Sequence, residues 1–119
     1  MTKNFKIEEF KCKGNIKGCE CQMPDEVYDN LKELAKNLQI IRDELGEPIK
    51  INSGWRCENY NDNVVKGSKN SQHKLGKAAD IVVKNLTPDE VAIAVDKLQD
   101  GGFIKAGGLG RYNTFTHID

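Results

Sequence analysis

The sequence predicts a small α+β domain in which a central antiparallel sheet is flanked by helices. Two segments show helical periodicity, and short β-forming segments stand between and after them. Helices and strands follow one another without a regular strand–helix–strand alternation, so we expect antiparallel rather than parallel pairing. A length of 119 residues suits one domain with one modest core, and we therefore assign residues 1–119 to a single domain.

Residues 1–23 predict an irregular lead-in that is rich in cysteine and lysine. Its early apolar residues are Phe5, Ile7 and Phe10, and we expect them to anchor the lead-in on the core. No apolar run follows the start of the chain, so the sequence predicts no secretory signal. The longest aliphatic run, 91–95, is far short of a membrane span, and none is expected.

The sequence contains four cysteines, for which there are three interpretations: Cys12, Cys19, Cys21 and Cys57. We favour reduced thiols, since disulfides are rare in proteins made in the cytosol. The alternatives are a disulfide pair, with three possible pairings, or a small zinc site made of cysteines alone. The Cys19-x-Cys21 spacing is tighter than that of usual structural zinc sites, which counts against the metal.

The first predicted helix begins at 24–26 and ends at Gly46 and Pro48. Proline suits a first turn, acidic side chains suit the positive end of the helix dipole, and glycine suits a helix end. The apolar residues recur at steps of three and four, which defines one buried face: Val27, Leu31, Leu34, Ala35, Leu38, Ile41 and Leu45.

The second predicted helix begins at Thr87 and Pro88, where a capping box coincides with proline at the first helical position. Gly101 and Gly102 are expected to stop it. The expected buried face consists of Val91, Ala94, Val95 and Leu98.

Three segments predict strands. Residues 49–53 alternate between apolar and polar, residues 78–83 begin small and end β-branched, and residues 115–118 are rich in β-forming types. Between the first two strands, residues 58–65 predict a short helix. Residues 66–72 predict a polar loop that leads to His73.

His73, Asp80 and His117 form a candidate metal site, and the chain has only these two histidines. Two imidazoles and one carboxylate make a three-ligand set for Zn²⁺, whose fourth position a catalytic site keeps open for water. Gly76, with the small residues that follow it, suits a tight turn into the strand that carries Asp80. This pattern points to metal-assisted hydrolysis with one zinc ion per chain.

Three segments together carry a resemblance to a known family: 53–56 with Asn61; Ser71, His73, Gly76, Ala78 and Asp80; and Gly108, Gly110 and Tyr112 followed by His117 and Asp119. In this order and spacing the chain resembles the zinc D-Ala-D-Ala carboxypeptidase family of peptidoglycan peptidases. That family includes phage endolysins and murein endopeptidases, and the hedgehog signalling domain shares its fold. The resemblance implies a hedgehog-like α+β domain with zinc at the centre of the sheet, held by His73, Asp80 and His117.

The resemblance also implies roles for residues around the zinc ligands. Arg56 matches an arginine that faces the substrate, and would stabilise the anionic tetrahedral intermediate. Ser71 would either bind the substrate backbone or hold its own loop. Trp55 would line the cleft or belong to the core, and Tyr112 would contact the substrate.

The general base is the point at which the sequence departs from the family pattern. Several branches of the family carry a base three residues before the last histidine, and here that position is Thr114. Asp119 is the nearest carboxylate, and on a strand it shares a face with His117. It would act as the base or would orient a ligand histidine. Asp119 is also the last residue of a sequence whose relatives usually continue further.

The expected function is zinc-dependent hydrolysis of an amide bond in peptidoglycan stem peptides or cross-links, by carboxypeptidase or endopeptidase action. The chain is expected to be a monomer made in the cytoplasm that acts on the cell wall, as a phage or prophage product. A formal net charge of +0 argues against nucleic acid as a partner. The alternatives are a non-catalytic wall-binding module that keeps the fold and metal and, more remotely, a thiol or metal sensor built on the cysteines.

Overall fold

The computed structural model describes residues 1–13, 22–58, 60–65, 67 and 70–119. Two helices, α1 (Asp25–Leu45) and α2 (Pro88–Asp100), and four strands, β1 (Ile49–Ser53), β2 (Ala79–Val83), β3 (Leu109–Arg111) and β4 (Thr116–Ile118), make up the regular structure. Short 3₁₀ helices span Ile7–Phe10 and Gln72–Leu75, and a π-helical turn spans Tyr60–Val64. The architecture is α+β, as the sequence predicts.

Helix α1 has the predicted limits and the predicted apolar face. Pro24 is its N-cap, and Gly46 ends it in the left-handed conformation, with φ of 68°. The face that α1 buries includes six of the seven expected residues, and the seventh, Leu45, is half-buried against the same core. The element therefore forms because one apolar stripe can be buried along five turns of helix.

The four strands form one antiparallel sheet in the order β1-β2-β4-β3. Alternate strand residues join the core together with the buried faces of both helices: Ile49, Ile51, Ala79, Ile81, Val83 and Ile118. Because successive strand residues point to opposite faces, the intervening residues lie on the other face. That second face carries Asp80 and His117.

Helix α2 begins with the predicted capping box, in which the Thr87 hydroxyl and the Glu90 carboxylate each accept from the other residue's backbone N–H. It packs on β2, β3 and β4. One detail of its face was predicted wrongly, because Ala92 is buried while Ala94 is only half-buried. Alanine is small and weakly apolar, so the sequence pattern does not distinguish the two positions.

The lead-in anchors as expected where the structure describes it. Phe5 and Phe10 are fully buried in the core, and Ile7 packs against it. Cys19 and Cys21 lie outside the described residues, as do parts of the predicted 58–65 helix and 66–72 loop. Within the described chain, none of the helices combines the length and the apolar character needed to cross a membrane.

Candidate metal centre

One row of residues across the sheet carries most of the site. Ser53 of β1 is paired with Asp80 of β2, Asp80 with His117 of β4, and His117 with Gly110 of β3. Paired residues of neighbouring strands point to the same face, so these four positions lie side by side on the face opposite the helices. A bulge between Ile51 and Ser53 shifts β1 by one residue, which brings Ser53 rather than Asn52 opposite Asp80.

His73 reaches this row from the short 72–75 helix, not from a loop. Ser71 caps that helix by accepting from the His73 backbone N–H at 3.2 Å, and Gly76 ends it with φ of 74°. A Cβ at Gly76 would lie 2.8 Å from the Val27 carbonyl oxygen, so glycine lets the turn pack directly on α1. The imidazole is 3% exposed, which fixes its position beside β2.

The three predicted ligands come together in the structure. His73 Nε2 lies 3.3 Å from Asp80 Oδ1, and His117 Nδ1 lies 2.8 Å from the same oxygen. One donor atom from each side chain can be chosen so that all three lie within 4.8 Å of one another. Ligand atoms at about 2.0–2.2 Å from a tetrahedral zinc ion stand roughly 3.3–3.6 Å apart. The donor types therefore fit zinc, and so does the His73–Asp80 separation, while the shorter His117–Asp80 separation is that of a hydrogen bond.

Each histidine has its outer ring nitrogen held by the protein. His73 Nδ1 donates to the Gly54 carbonyl oxygen at 2.7 Å, and because a carbonyl only accepts, Nε2 is the nitrogen left to face Asp80. His117 Nε2 lies 2.8 Å from Asp119 Oδ2, which leaves Nδ1 to face Asp80. Such outer contacts set the tautomer and orientation of metal-binding histidines.

Arg56 lies against the outer oxygen of Asp80. Its Nη2 is 3.1 Å from Asp80 Oδ2, and the side chain is 15% exposed. Nε donates to the Ser53 hydroxyl at 3.0 Å and Nη1 to the Asn61 amide oxygen at 3.3 Å, so three contacts hold the guanidinium plane. The Arg56 backbone N–H also donates to the His73 carbonyl oxygen at 3.0 Å. Arg56 thus joins β2 and the 72–75 helix at the site.

The pKa values of Asp80 and His117 both depart from their ordinary values. Burial acts to raise the pKa of Asp80, but hydrogen bonds from His117 and His73 and their positive charges outweigh it and hold that pKa well below its usual range. The hydrogen bond to Asp80 raises the pKa of His117 above 6.5; burial opposes this shift and the Asp119 carboxylate reinforces it. Asp80 is therefore an anionic donor, and a proton competes with metal at His117.

Asp119 uses both carboxylate oxygens. Oδ2 faces His117, while Oδ1 accepts from the Gly108 N–H at 2.8 Å, and the Asp119 N–H donates to the Gly108 carbonyl at 3.0 Å. A Cβ at Gly108 would collide with the Asp119 carboxylate, so this approach requires glycine. The geometry is that of a positioning group which joins β4 to the segment before β3.

The three remaining predicted residues occupy different environments. Trp55 is 5% exposed and packs in the hydrophobic core, which agrees with the core alternative, and its contact with substrate stays a prediction. Ser71 caps the 72–75 helix, as the loop-holding alternative expects. Tyr112 is 54% exposed and stacks on Phe115 at 4.6 Å, with its ring over Gly110 beside His117. Tyr112 is therefore the one of the three that borders the site as an open aromatic surface.

Two features lie away from the metal ligands. Thr114 is exposed and borders a small groove with Val82 and Pro88, none of whose lining residues is a ligand. A groove of about 590 Å³ lies between α1 and α2 and also lacks site residues. The three donor atoms define the candidate metal site, and they lie outside both grooves.

Sequence reasoning assigned no role to Ser53, Gly54 and Asn61, although all three hold site residues. Ser53 and Asn61 bind the Arg56 guanidinium, and Asn61 is fully buried. Their presence in the 53–56 and Asn61 motif was the available signal. Gly54 acts through its backbone carbonyl, and a backbone contact leaves no side-chain signature.

Comparison with known families now adds to this geometry. A family model described as Peptidase M15 matches residues 3–119, which is nearly the whole chain. No curated protein matches the chain. The resemblance drawn from the three sequence motifs is confirmed by the family match, and the antiparallel α+β fold agrees with it. The chain belongs to the peptidase M15 family, and is a peptidase of the peptidoglycan-hydrolase kind.

Proposed function

We propose that this protein is a zinc-dependent peptidase that hydrolyses an amide bond in peptidoglycan stem peptides or cross-links. The observation that carries the proposal is the cluster of His73, Asp80 and His117, whose donor atoms lie within 4.8 Å of one another. Two imidazoles and one carboxylate form the donor set of many hydrolytic zinc sites. Family membership supplies the substrate class, peptide bonds of the cell wall.

His73, Asp80 and His117 would hold the metal, through Nε2, a carboxylate oxygen and Nδ1 respectively. Zinc, when bound, supplies a Lewis acid that activates water near neutral pH and polarises the scissile carbonyl. The Gly54 carbonyl and the Asp119 carboxylate keep both imidazoles in the required tautomers. Asp119 is thus proposed as a positioning residue, which leaves the proton acceptor to be assigned by experiment.

Arg56 is proposed as the group that stabilises negative charge on the substrate. A guanidinium has five N–H donors, and Ser53, Asn61 and Asp80 engage one each. Two N–H groups remain for a substrate oxygen, on a side chain whose plane is already oriented. Pre-oriented charge of this kind stabilises an oxyanion without reorganisation during the reaction.

Tyr112 is proposed to contact the substrate. Its ring is open to solvent, is supported by Phe115, and lies on the same sheet face as His117. An amphipathic ring in this position would pack against the aliphatic part of a stem peptide and offer its hydroxyl to a peptide group. The two sites of contact, Arg56 and Tyr112, flank the ligand row from β1 and β3.

The test is digestion of purified peptidoglycan, followed by mass spectrometry of the released fragments. Zinc-loaded protein should release new amine and carboxyl ends at one type of bond, which identifies the bond cut. Chelation should abolish release and added zinc should restore it. His73→Ala should remain inactive even with added zinc, because it lacks a ligand.

Two results would reject this function. Fragment release that is unaffected by chelator would exclude metal-dependent hydrolysis. Binding of zinc and of wall fragments without any cleavage would favour a non-catalytic wall-binding module. That the protein acts on the wall of a host cell, as a phage or prophage product, remains a prediction. The same digestion, run on walls of different bacteria, measures which walls the protein cuts.

A further inference from the structure

Cys12 and Cys57 meet beside the catalytic segment although 45 residues separate them in the chain. Their Sγ atoms lie 3.5 Å apart. Cys57 is 8% exposed and follows Arg56 directly, while Cys12 is half-buried at the end of the described lead-in. Neither residue has a role in the proposed peptidase site, so the contact requires a separate explanation.

The separation of the two sulfurs matches a shared metal better than a covalent bond. A disulfide requires about 2.05 Å between the sulfurs. Two thiolates at about 2.3 Å from one tetrahedral zinc ion stand roughly 3.8 Å apart. The observed distance is thus within about 0.3 Å of the metal-bound spacing, and about 1.5 Å from the disulfide spacing.

Backbone N–H groups point at both sulfurs. The Cys57 N–H donates to Cys12 Sγ at 3.5 Å, and the Tyr60 N–H donates to Cys57 Sγ at 3.4 Å. These two contacts hold both sulfur atoms in place. A metal would bind them as thiolates and would displace their protons.

We propose that Cys12 and Cys57 are two ligands of a second metal site, of the thiolate class that takes zinc. A structural zinc site has four protein ligands, and Cys12 and Cys57 are the two thiols that the described part of the chain brings together. The narrow Cys19-x-Cys21 spacing counted against such a site. The approach of Cys12 and Cys57 is an independent observation in its favour.

The second site would join the lead-in to the segment that supports the catalytic residues. Phe10 already accepts from the Trp55 N–H at 2.8 Å, and a Cβ at Gly54 would lie 2.8 Å from Phe10 Cα. Gly54 holds His73, and Arg56 holds Asp80. A metal beneath residues 54–57 would therefore fix the outer contacts of the catalytic ligands.

The experiment counts metal and identifies its ligands. Wild-type protein purified without chelator should contain two zinc ions per chain, His73→Ala should retain one, and Cys57→Ser should also retain one. Cobalt-substituted His73→Ala should show thiolate-to-cobalt charge-transfer absorption, and the Cys12→Ser change in that background should abolish it.

A measurement on unaltered protein covers the case in which a cysteine variant fails to fold. A mercurial reagent that titrates thiols should release one zinc ion per chain while the other remains available to a chelator. One zinc ion per chain with no thiolate absorption would overturn the proposal. So would a Cys12–Cys57 disulfide, seen as one cross-linked peptide in a digest run without reductant. A full set of alkylatable thiols in metal-loaded protein would overturn it as well.

Discussion

At the scale of single residues, the site depends on the groups behind the ligands. Each candidate ligand has one atom facing the others and another atom held by the protein: His73 by Gly54, Asp80 by Arg56, and His117 by Asp119. Partners of this kind typically contribute a factor of 10–100 to metal affinity. The sequence leaves two roles open for Asp119, as general base or as a group that orients His117, and a substitution distinguishes them.

Asp119→Asn separates the two roles proposed for this carboxylate. An amide has one oxygen, so it cannot accept from both the Gly108 N–H and His117 as the carboxylate does. We expect zinc affinity to fall about 10–100-fold, and turnover to recover when zinc is saturating. A competition assay with a chromogenic chelator, paired with turnover at saturating zinc, measures both. Unchanged zinc affinity with turnover abolished would instead identify Asp119 as the general base.

Arg56→Lys tests the proposed contact with the substrate oxyanion. Lysine keeps the charge near Asp80 but loses the planar fork that Ser53 and Asn61 orient. Turnover should fall on the order of 10²-fold with zinc content unchanged, as for the loss of an oxyanion donor. Arg111→Lys, at an exposed position of β3, is the matched control and should retain full turnover. Wild-type turnover in Arg56→Lys would make Arg56 a structural residue only.

At the scale of elements, the site is assembled from three strands and one short helix that the sequence keeps in register. The β1 bulge aligns Ser53 with Asp80, and the β2–β4 pairing aligns Asp80 with His117. Asn30 of α1 donates to the Leu75 carbonyl at 2.8 Å, and Gly76 packs on Val27, so α1 carries the 72–75 helix. The position of His73 therefore depends on this contact between two helices as well as on its bonds to Gly54 and Arg56, which follow β1.

Gly76→Ala tests this dependence, and Gly46→Ala is its control. Both glycines have positive φ, 74° and 68°, so each alanine carries a similar conformational cost of about 1–2 kcal/mol. Only at Gly76 does the new Cβ meet α1, whereas at Gly46 nothing lies within 4 Å. We expect Gly76→Ala to lose more stability in denaturant unfolding and to bind zinc more weakly, while Gly46→Ala keeps wild-type zinc affinity. Equal losses in both variants would show that the contact with α1 does not position His73.

At the scale of the whole molecule, the sequence carries most of the fold and the ligand set. Helix α1, strand β1 and the cap of α2 lie where periodicity, alternation and the capping box predict them. The candidate ligands follow from having only two histidines and from motifs in a known order. The hydrogen bonds that orient these residues cannot be predicted from the sequence. The bond from His73 to the Gly54 carbonyl and the bond from the Gly108 N–H to Asp119 depend on backbone positions that only the folded chain defines. Trp55 shows the same limit: a bulky aromatic suits a cleft or a core equally until its packing is known.

The stability of this domain should depend on pH differently in the metal-free and the metal-bound protein. Without metal, the contact with Asp80 raises the pKa of His117 above 6.5, so the ion pair stabilises the fold fully below the unfolded-state pKa. That contribution is lost as pH rises through the folded-state pKa. The lowered pKa of Asp80 contributes stability above its unfolded value of 3.8, which is lost only as pH falls through the folded-state value.

Saturating zinc would cancel this fall in stability above the unfolded-state pKa of His117, because zinc-bound His117 has already released its proton. We therefore expect the Tm of metal-free protein to fall as pH rises through the raised pKa of His117. The increase in Tm that saturating zinc produces should grow over the same interval, since ligand binding stabilises by mass action. Thermal unfolding of chelated and zinc-loaded samples across this interval measures both slopes. His117→Gln should remove the dependence in the metal-free protein, because glutamine does not titrate. A zinc-induced increase in Tm that is independent of pH would show that His117 is not a ligand.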